Sequence, residues 1–250
     1  MVSECGKATE ISPCFAKNTL PKLAEPITVR LKFRKVGSAQ YISHLDFQKS
    51  IHRIVARAGI PAWFTQGFNP HAKIAFGLPL SVGAQSECEY MDIRIDREIT
   101  CEKIKEQLNA ELTDELRILD VYVPTTKYTE IKYAAYELRI KCDGLSQTVA
   151  ENAQKLLTSS PLNMIKRSKS GEKEVDITGF IHSVDVSFDE KNGIMSVACV
   201  LSANDSDYLN PEYIITALRE KLGILCGDLT KESYTILRTK VLCADMTEFR

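Results

Sequence analysis

ITVRLKFRK at residues 27–35 and HLDFQKSIHRIVARA at residues 44–58 decide the fold class, because the hydrophobic period changes between them. In the first stretch Val29, Leu31 and Phe33 fall on one face and Arg30, Lys32 and Arg34 on the other, the pattern of a half-buried strand. In the second, Phe47, Ile51, Ile54, Val55 and Ala58 form one apolar helical stripe, which Gly59 and Pro61 terminate. Outward from this pair come an apolar segment at 74–80, then a strand at 89–96 with Met91, Ile93 and Ile95 alternating. A helix capped by Thr100 follows through Leu112, and then a strand at 116–123 that Pro124 stops. The order strand, helix, strand, strand, helix, strand is ferredoxin-like.

After a linker at 125–130 a similar order begins again. Ala134, Tyr136, Leu138 and Ile140 alternate, and Val149, Ala153, Leu156 and Leu157 give a helical stripe. Strands are expected at 162–167, 184–188 and 194–201, a helix from the Asn210-Pro211 cap through Leu222, and a last strand at 234–243. The expected architecture is α+β, with two tandem ferredoxin-like (βαββαβ) units and antiparallel sheets. The first unit spans 27–125 and the second 131–245; a single α+β domain is the competing reading. Residues 1–26 show no period and read as a disordered tail framed at its end by Pro21 and Pro26.

Composition narrows the function classes. The chain of 250 residues carries 32 Lys+Arg against 33 Asp+Glu, a net charge of -1, which argues against a histone-like protein. Its 44% hydrophobic content is too high for global disorder. No apolar run approaches the roughly 18 residues of a membrane span, and residues 1–26 lack the apolar core of a signal peptide, so a cytoplasmic location without membrane association is expected. The eight cysteines include no CxxC pair and have no partner His nearby, so no metal site is expected. They read as buried free thiols in a reducing compartment.

The balanced charge is an average over unequal segments. Residues 27–73 hold eight cations, Arg30, Lys32, Arg34, Lys35, Lys49, Arg53, Arg57 and Lys73, against the single acid Asp46, a net of +7. Lys49, Arg53 and Arg57 stand at i, i+4 and i+8 on the first helix, the footprint of either a polyanion-binding face or a solvated helix surface. A smaller cluster, Lys166, Arg167, Lys169 and Lys173 around Ser170-Gly171, reads as a hairpin tip that clamps a phosphate backbone or keeps an exposed edge soluble.

Two motifs can carry chemistry. Ser43-His44-Leu45-Asp46 stands where the first helix begins; Ser43 or Asp46 can cap it, or His44 and Asp46 can act as an acid–base couple. In Gln66-Gly67-Phe68-Asn69-Pro70-His71, Gly67 permits an unusual turn and Asn69-Pro70 fixes another. The aromatics Trp63, Phe64 and Phe68 either stack a base, with His71 and Lys73 on a phosphate, or pack into the core beneath a rigid loop. No phosphate-loop, dinucleotide, zincin or hydrolase motif is present in the sequence.

The string YISHLDFQKSIHRIVARAGIPAWFTQGFNPHAKIAFGLPLSVGAQSECEYMDI, residues 41–93, resembles the radical SAM-linked protein family, a bacterial domain of unknown function. The resemblance runs from about residue 27 to 243. SHLD at 43–46, the helical Arg53 and Arg57, and QGFNPH at 66–71 carry it, with a weaker pattern at Lys166-Arg167 and Val175-Asp176-Ile177. Lys49 departs from the more usual Arg, which keeps the charge and loses bidentate phosphate geometry. The resemblance implies a radical SAM protein as partner and a setting near RNA processing. This chain lacks CxxxCxxC, so an iron–sulfur cluster, S-adenosylmethionine and cobalamin would belong to that partner.

The leading expectation is therefore a non-catalytic accessory that binds structured RNA, transfer or ribosomal, for modification or processing. Its phosphate contacts would be Lys49, Arg53, Arg57, Lys73, Lys166, Arg167 and Lys169. One rival is an RNA-processing or RNA-modifying enzyme using His44, Asp46 and His71; another is a protein–protein adaptor that docks through an apolar sheet face.

Overall fold

The computed structural model describes residues 20–168, 171–204, 207–228 and 230–250. The chain is mixed α+β, with a mostly antiparallel sheet and four α-helices among the described residues. It divides into two compact units. The first takes the described part of Met1–Phe33 together with Leu45–Gly77 and Tyr90–Pro124, and the second takes Arg34–His44, Leu78–Glu89 and Thr125–Arg250.

The first unit is built from β1 (Lys22–Lys35) as far as Phe33, α1 (His44–Arg57) from Leu45, β2 (Ile74–Phe76), β3 (Ala84–Arg97) from Tyr90, α2 (Cys101–Glu111) and β4 (Leu116–Tyr122). Its strands lie in the order β4-β1-β3, with β2 antiparallel to β3 through Ile74 opposite Ile93 and Phe76 opposite Met91. The alternation read from sequence decides what faces inward: Val29, Leu31 and Phe33 of β1 and Met91, Ile93 and Ile95 of β3 are all buried. Against them α1 lays Phe47, Ile51 and Val55, and α2 lays Ile104 and Leu108. Each such side chain gains roughly 1.5–3 kcal/mol from full burial. The Phe33 and Phe47 rings stack with centroids 5.6 Å apart, and Phe76 meets Phe47 edge-on at 5.7 Å. Thr100 caps α2 by accepting from the Lys103 amide, as its position in the sequence suggests.

The second unit contains β5 (Tyr133–Lys141), α3 (Gln147–Leu157), the hairpin of β6 (Asn163–Ser168) and β7 (Gly171–Asp176), β8 (Ile181–Asp189), β9 (Ile194–Ser202), α4 (Glu212–Leu222) and β10 (Ser233–Leu242). Its strands lie in the order β10-β5-β9-β8, all antiparallel, and β10 also pairs in parallel with residues 84–86, the part of β3 that belongs to this unit. Ala153 and Leu157 of α3 and Ile214, Ile215 and Leu218 of α4 are fully buried. Gln154 ties α3 to β8 by donating to the Val184 carbonyl and accepting from the Val186 amide.

Three boundaries differ from the sequence expectation. β1 starts at Lys22 and so takes in part of the expected tail, because Arg94 and Arg97 donate to the carbonyls of Pro26 and Leu20 and hold this non-alternating segment in place. β3 starts at Ala84, where pairing with β10 extends it. β7 has the sequence GEKEVD, whose single apolar residue gives no alternation to detect.

Charge burial separates the cations of the basic segment. Arg30, only 1% exposed, grips Asp92 with Nε to Oδ1 at 2.7 Å and Nη2 to Oδ2 at 2.9 Å. Lys35 is buried and donates to the Ile42 carbonyl at 2.9 Å; burial pushes its pKa down against the pull of Glu89. In the second unit the buried Arg238 donates to Glu89 at 2.7 Å, to the Leu78 and Pro79 carbonyls at 2.9 Å each, and to the Tyr136 hydroxyl at 3.3 Å. Removing that guanidinium strands a buried carboxylate and frees two carbonyls. Arg238→Ala should therefore lower the unfolding free energy by about 3–5 kcal/mol in urea titration. A loss typical of an exposed pair, under about 1 kcal/mol, would contradict this assignment.

Candidate functional site

Residues 62–73 fold back on themselves as a short ribbon beside β3. Trp63 donates its amide to the Arg94 carbonyl at 2.7 Å, Arg94 to Lys73 at 3.0 Å, Lys73 to Trp63 at 2.9 Å and Thr65 to His71 at 2.9 Å. Bridges join Ala62 to Ile95 and Phe64 to Ala72. The Arg94 guanidinium lies 5.1 Å over the Trp63 ring, so Trp63 serves as packing for the ribbon's base.

The QGFNPH loop is the tip of this ribbon. Gly67 sits at φ +139°, where an L side chain is strained, as the turn reading expects. Gln66, Gly67, Asn69 and Pro70 are exposed. Phe68 is fully exposed, at 112% of the reference surface, and Phe64 is 47% exposed. The reading in which Phe68 packs into the core is corrected: its ring projects into solvent from a turn that Gly67 shapes.

His71 is held by its own loop. Its Nδ1 stands 3.1 Å from the Asn69 carbonyl and 3.2 Å from the Thr65 hydroxyl, and its amide donates to that hydroxyl. A carbonyl only accepts, so Nδ1 carries the proton, and in the neutral ring Nε2 keeps a lone pair. Across from it on α1 stands His52. Burial first, and then the neighbouring His71 charge, hold the His52 pKa below its usual value.

The two imidazoles share a pocket of ≈ 330 Å³, walled by Val55 and Ala56 from α1 and by Phe64, Pro70 and Ala72 from the ribbon. The sequence reading does not single out His52. Its partner lies nineteen positions away on another element, a juxtaposition that only the i, i+3, i+4 relation of His52 to Val55 and Ala56 foreshadows.

The expected phosphate contacts divide by their pairing. Lys49 Nζ lies 3.4 Å from Asp46 Oδ1 and Arg57 Nε 2.9 Å from Glu111 Oε2. Arg53 and Lys73 are exposed and have no ion pair among the described residues. Arg30 and Lys35 lie inside the fold, so the +7 segment does not present seven charges to solvent. Lys166 and Arg167 lie on β6 opposite Lys173 and Glu172 of β7, and Lys169 lies outside the described residues. Ser43 precedes α1 and His44 opens it, both half-buried and both counted with the second unit, whereas Asp46 and His71 belong to the first. Among the described residues no group of three or more His, Cys, Asp or Glu side chains could hold a metal ion, and no helix is long and apolar enough to cross a membrane.

Residues 28–211 match the model of DUF2344, described as an uncharacterized protein conserved in bacteria. The chain belongs to that family. No curated protein matches it. Among solved structures, a single-substitution variant of DypB from Rhodococcus jostii RHA1 in complex with heme aligns at 12% identity over 87% of this chain and 94% of that one, with a TM-score of 0.21. A second variant of the same protein, also in complex with heme, aligns at 10% identity over 89% and 96%, with a TM-score of 0.19. Scores this low carry no inference about fold or function.

For this DUF2344 chain the histidine pair makes a direct expectation. In an NMR pH titration His52 should titrate below the ordinary histidine value of 6.5, and His71→Ala should move its midpoint upward. A His52 midpoint that His71→Ala leaves unchanged would show that the two rings do not share the pocket.

Proposed function

We propose that this protein is a non-catalytic accessory that binds structured RNA through the α1 and ribbon face of its first unit and presents it to a cobalamin-binding radical SAM enzyme. The observation that carries the reading is the ribbon tip: Phe68 fully exposed on a loop shaped by Gly67, with Arg53 and Lys73, exposed and without an ion pair among the described residues, in the same unit. An exposed aromatic has no stabilising role in the fold, while a nucleobase provides a flat partner for it. Transfer or ribosomal RNA undergoing modification or processing is the substrate class. The SHLD and QGFNPH motifs support the radical SAM partner, which would carry the iron–sulfur cluster, S-adenosylmethionine and cobalamin. We also read the chain as two tandem ferredoxin-like units. The element orders, and the strand orders β4-β1-β3-β2 and β10-β5-β9-β8, support that reading.

A second reading, an RNA-acting enzyme, draws support from the His52 and His71 pocket, since two imidazoles lining one cavity suit general acid and base roles. It separates from the first by turnover: His71→Ala would abolish RNA cleavage or modification by the purified chain while leaving binding in place.

RNA affinity should fall with salt. Arg53→Ala and Lys73→Ala should each reduce the slope of log affinity against log salt by about one. Lys49→Ala and Arg57→Ala should change it less, because their charges are already paired within the protein. Filter binding of total cellular RNA over a salt series measures this, and salt-independent or absent binding would sink the proposal.

A further inference from the structure

The pocket between α1 and the ribbon is chemically unlike the cationic surface around it. Val55, Ala56, Phe64 and Pro70 give it apolar walls, and the only polar side chains lining it are those of His52 and His71. A phosphate would find no lysine, arginine or acidic partner along that lining. An alkyl chain would give no partner to His71 Nε2 or to the His52 ring, at the cost that burying unsatisfied polar groups carries. A planar heteroaromatic with a polar edge satisfies both parts of the lining.

We infer that this pocket receives one unstacked nucleobase of the bound RNA, packed against Phe64 and read along its polar edge by the imidazoles of His52 and His71. The inference rests on the RNA reading and adds to it which atoms of the RNA are read. His71 is oriented for the task, because its Nδ1 is committed to the Asn69 carbonyl and Nε2 remains to accept from a base N–H. The depressed basicity of His52 keeps that ring neutral near pH 7, with one donor and one acceptor nitrogen rather than a charge. Arg53 follows His52 and precedes Ala56 by three residues on α1, so an exposed cation lies within one turn of the pocket-lining residues and is available to the nucleotide's phosphate. Phe68 lies outside the lining and offers a separate stacking surface to a neighbouring base.

The test uses the full chain and two synthetic ribose-phosphate nonamers, one abasic throughout and one carrying a single central 2-aminopurine. The base-bearing probe should bind about tenfold more tightly, with a change in its fluorescence. Phe64→Ala, and separately His52→Gln with His71→Gln, should erase that difference while leaving affinity for the abasic probe unchanged. Phe68→Ala should leave the difference in place. Because Phe64 is half-exposed and His71 lies on an exposed loop, a far-UV spectrum matching the unmodified protein verifies that the variants fold. Equal affinity for the two probes, or a difference that survives Phe64→Ala, would overturn the inference while leaving RNA binding intact. A difference lost only with Phe68→Ala would move base contact from the pocket to the tip and overturn it equally. Failure of total RNA to bind would instead remove the RNA reading and this inference with it.

Discussion

The candidate site depends on how the 62–73 ribbon is fastened to β3. Trp63 and Lys73 share Arg94 as a common backbone partner, one taking its carbonyl and the other its amide, and the Arg94 side chain closes over the Trp63 ring. These bonds satisfy groups that the excursion from Trp63 to Lys73 would otherwise leave to solvent. They also fix where the ribbon's far end can be. With Trp63 and Lys73 fastened in this way, Phe64, Pro70 and His71 line a pocket together with His52, Val55 and Ala56 of α1. A loop anchored only at its ends would carry the same residues without holding a pocket open.

Charge in this chain is partitioned between fold and surface. Arg30 is desolvated and depends on the bidentate Asp92 for its place in β1, and Arg238 depends on Glu89 and two loop carbonyls in the same way. A buried ion without such partners would be strongly destabilising, so these cations are committed to internal partners and have no role at a surface. The formal count of eight cations in the basic segment therefore overstates its field. Exposure and pairing reduce it to a few side chains, Arg53 and Lys73 foremost.

Much of the fold was legible because amphipathic period is a local property. Phe47, Ile51 and Val55 had to face a core, and the alternating Met91, Ile93 and Ile95 had to line a strand. The turn at Gly67 was equally readable, since glycine beside Asn-Pro has few other uses. What escaped notice was set by partners distant in sequence. β7 lacks an apolar face and pairs only because β6 precedes it, and residues 20–26 are held by arginines of β3. Arg30 and Lys32 read identically in the sequence, yet only the strand that brings Asp92 alongside Arg30 decides which is internal. The site was half legible for the same reason. QGFNPH announced a shaped tip, whereas His52 became a site residue only when the ribbon folded against α1.

With Arg30 and Lys35 buried and Lys49 and Arg57 ion-paired, the 27–73 segment offers a polyanion less than its formal charge, and at cellular salt each phosphate contact is further weakened by competing ions. On the RNA reading, the missing affinity has to come from stacking, at roughly 1–3 kcal/mol per base on an aromatic. Only unpaired bases expose their faces, so a protein that relies on stacking discriminates against regular duplex and in favour of loops, bulges and ends. The burial of Arg30 and Lys35, the pairing of Lys49 and Arg57, and the presence of exposed Phe64 and Phe68 thus point the same way. On the same reading, extra lysines would raise affinity for every RNA alike, whereas exposed aromatics beside the pocket of His52 and His71 would favour an RNA that already presents a free base.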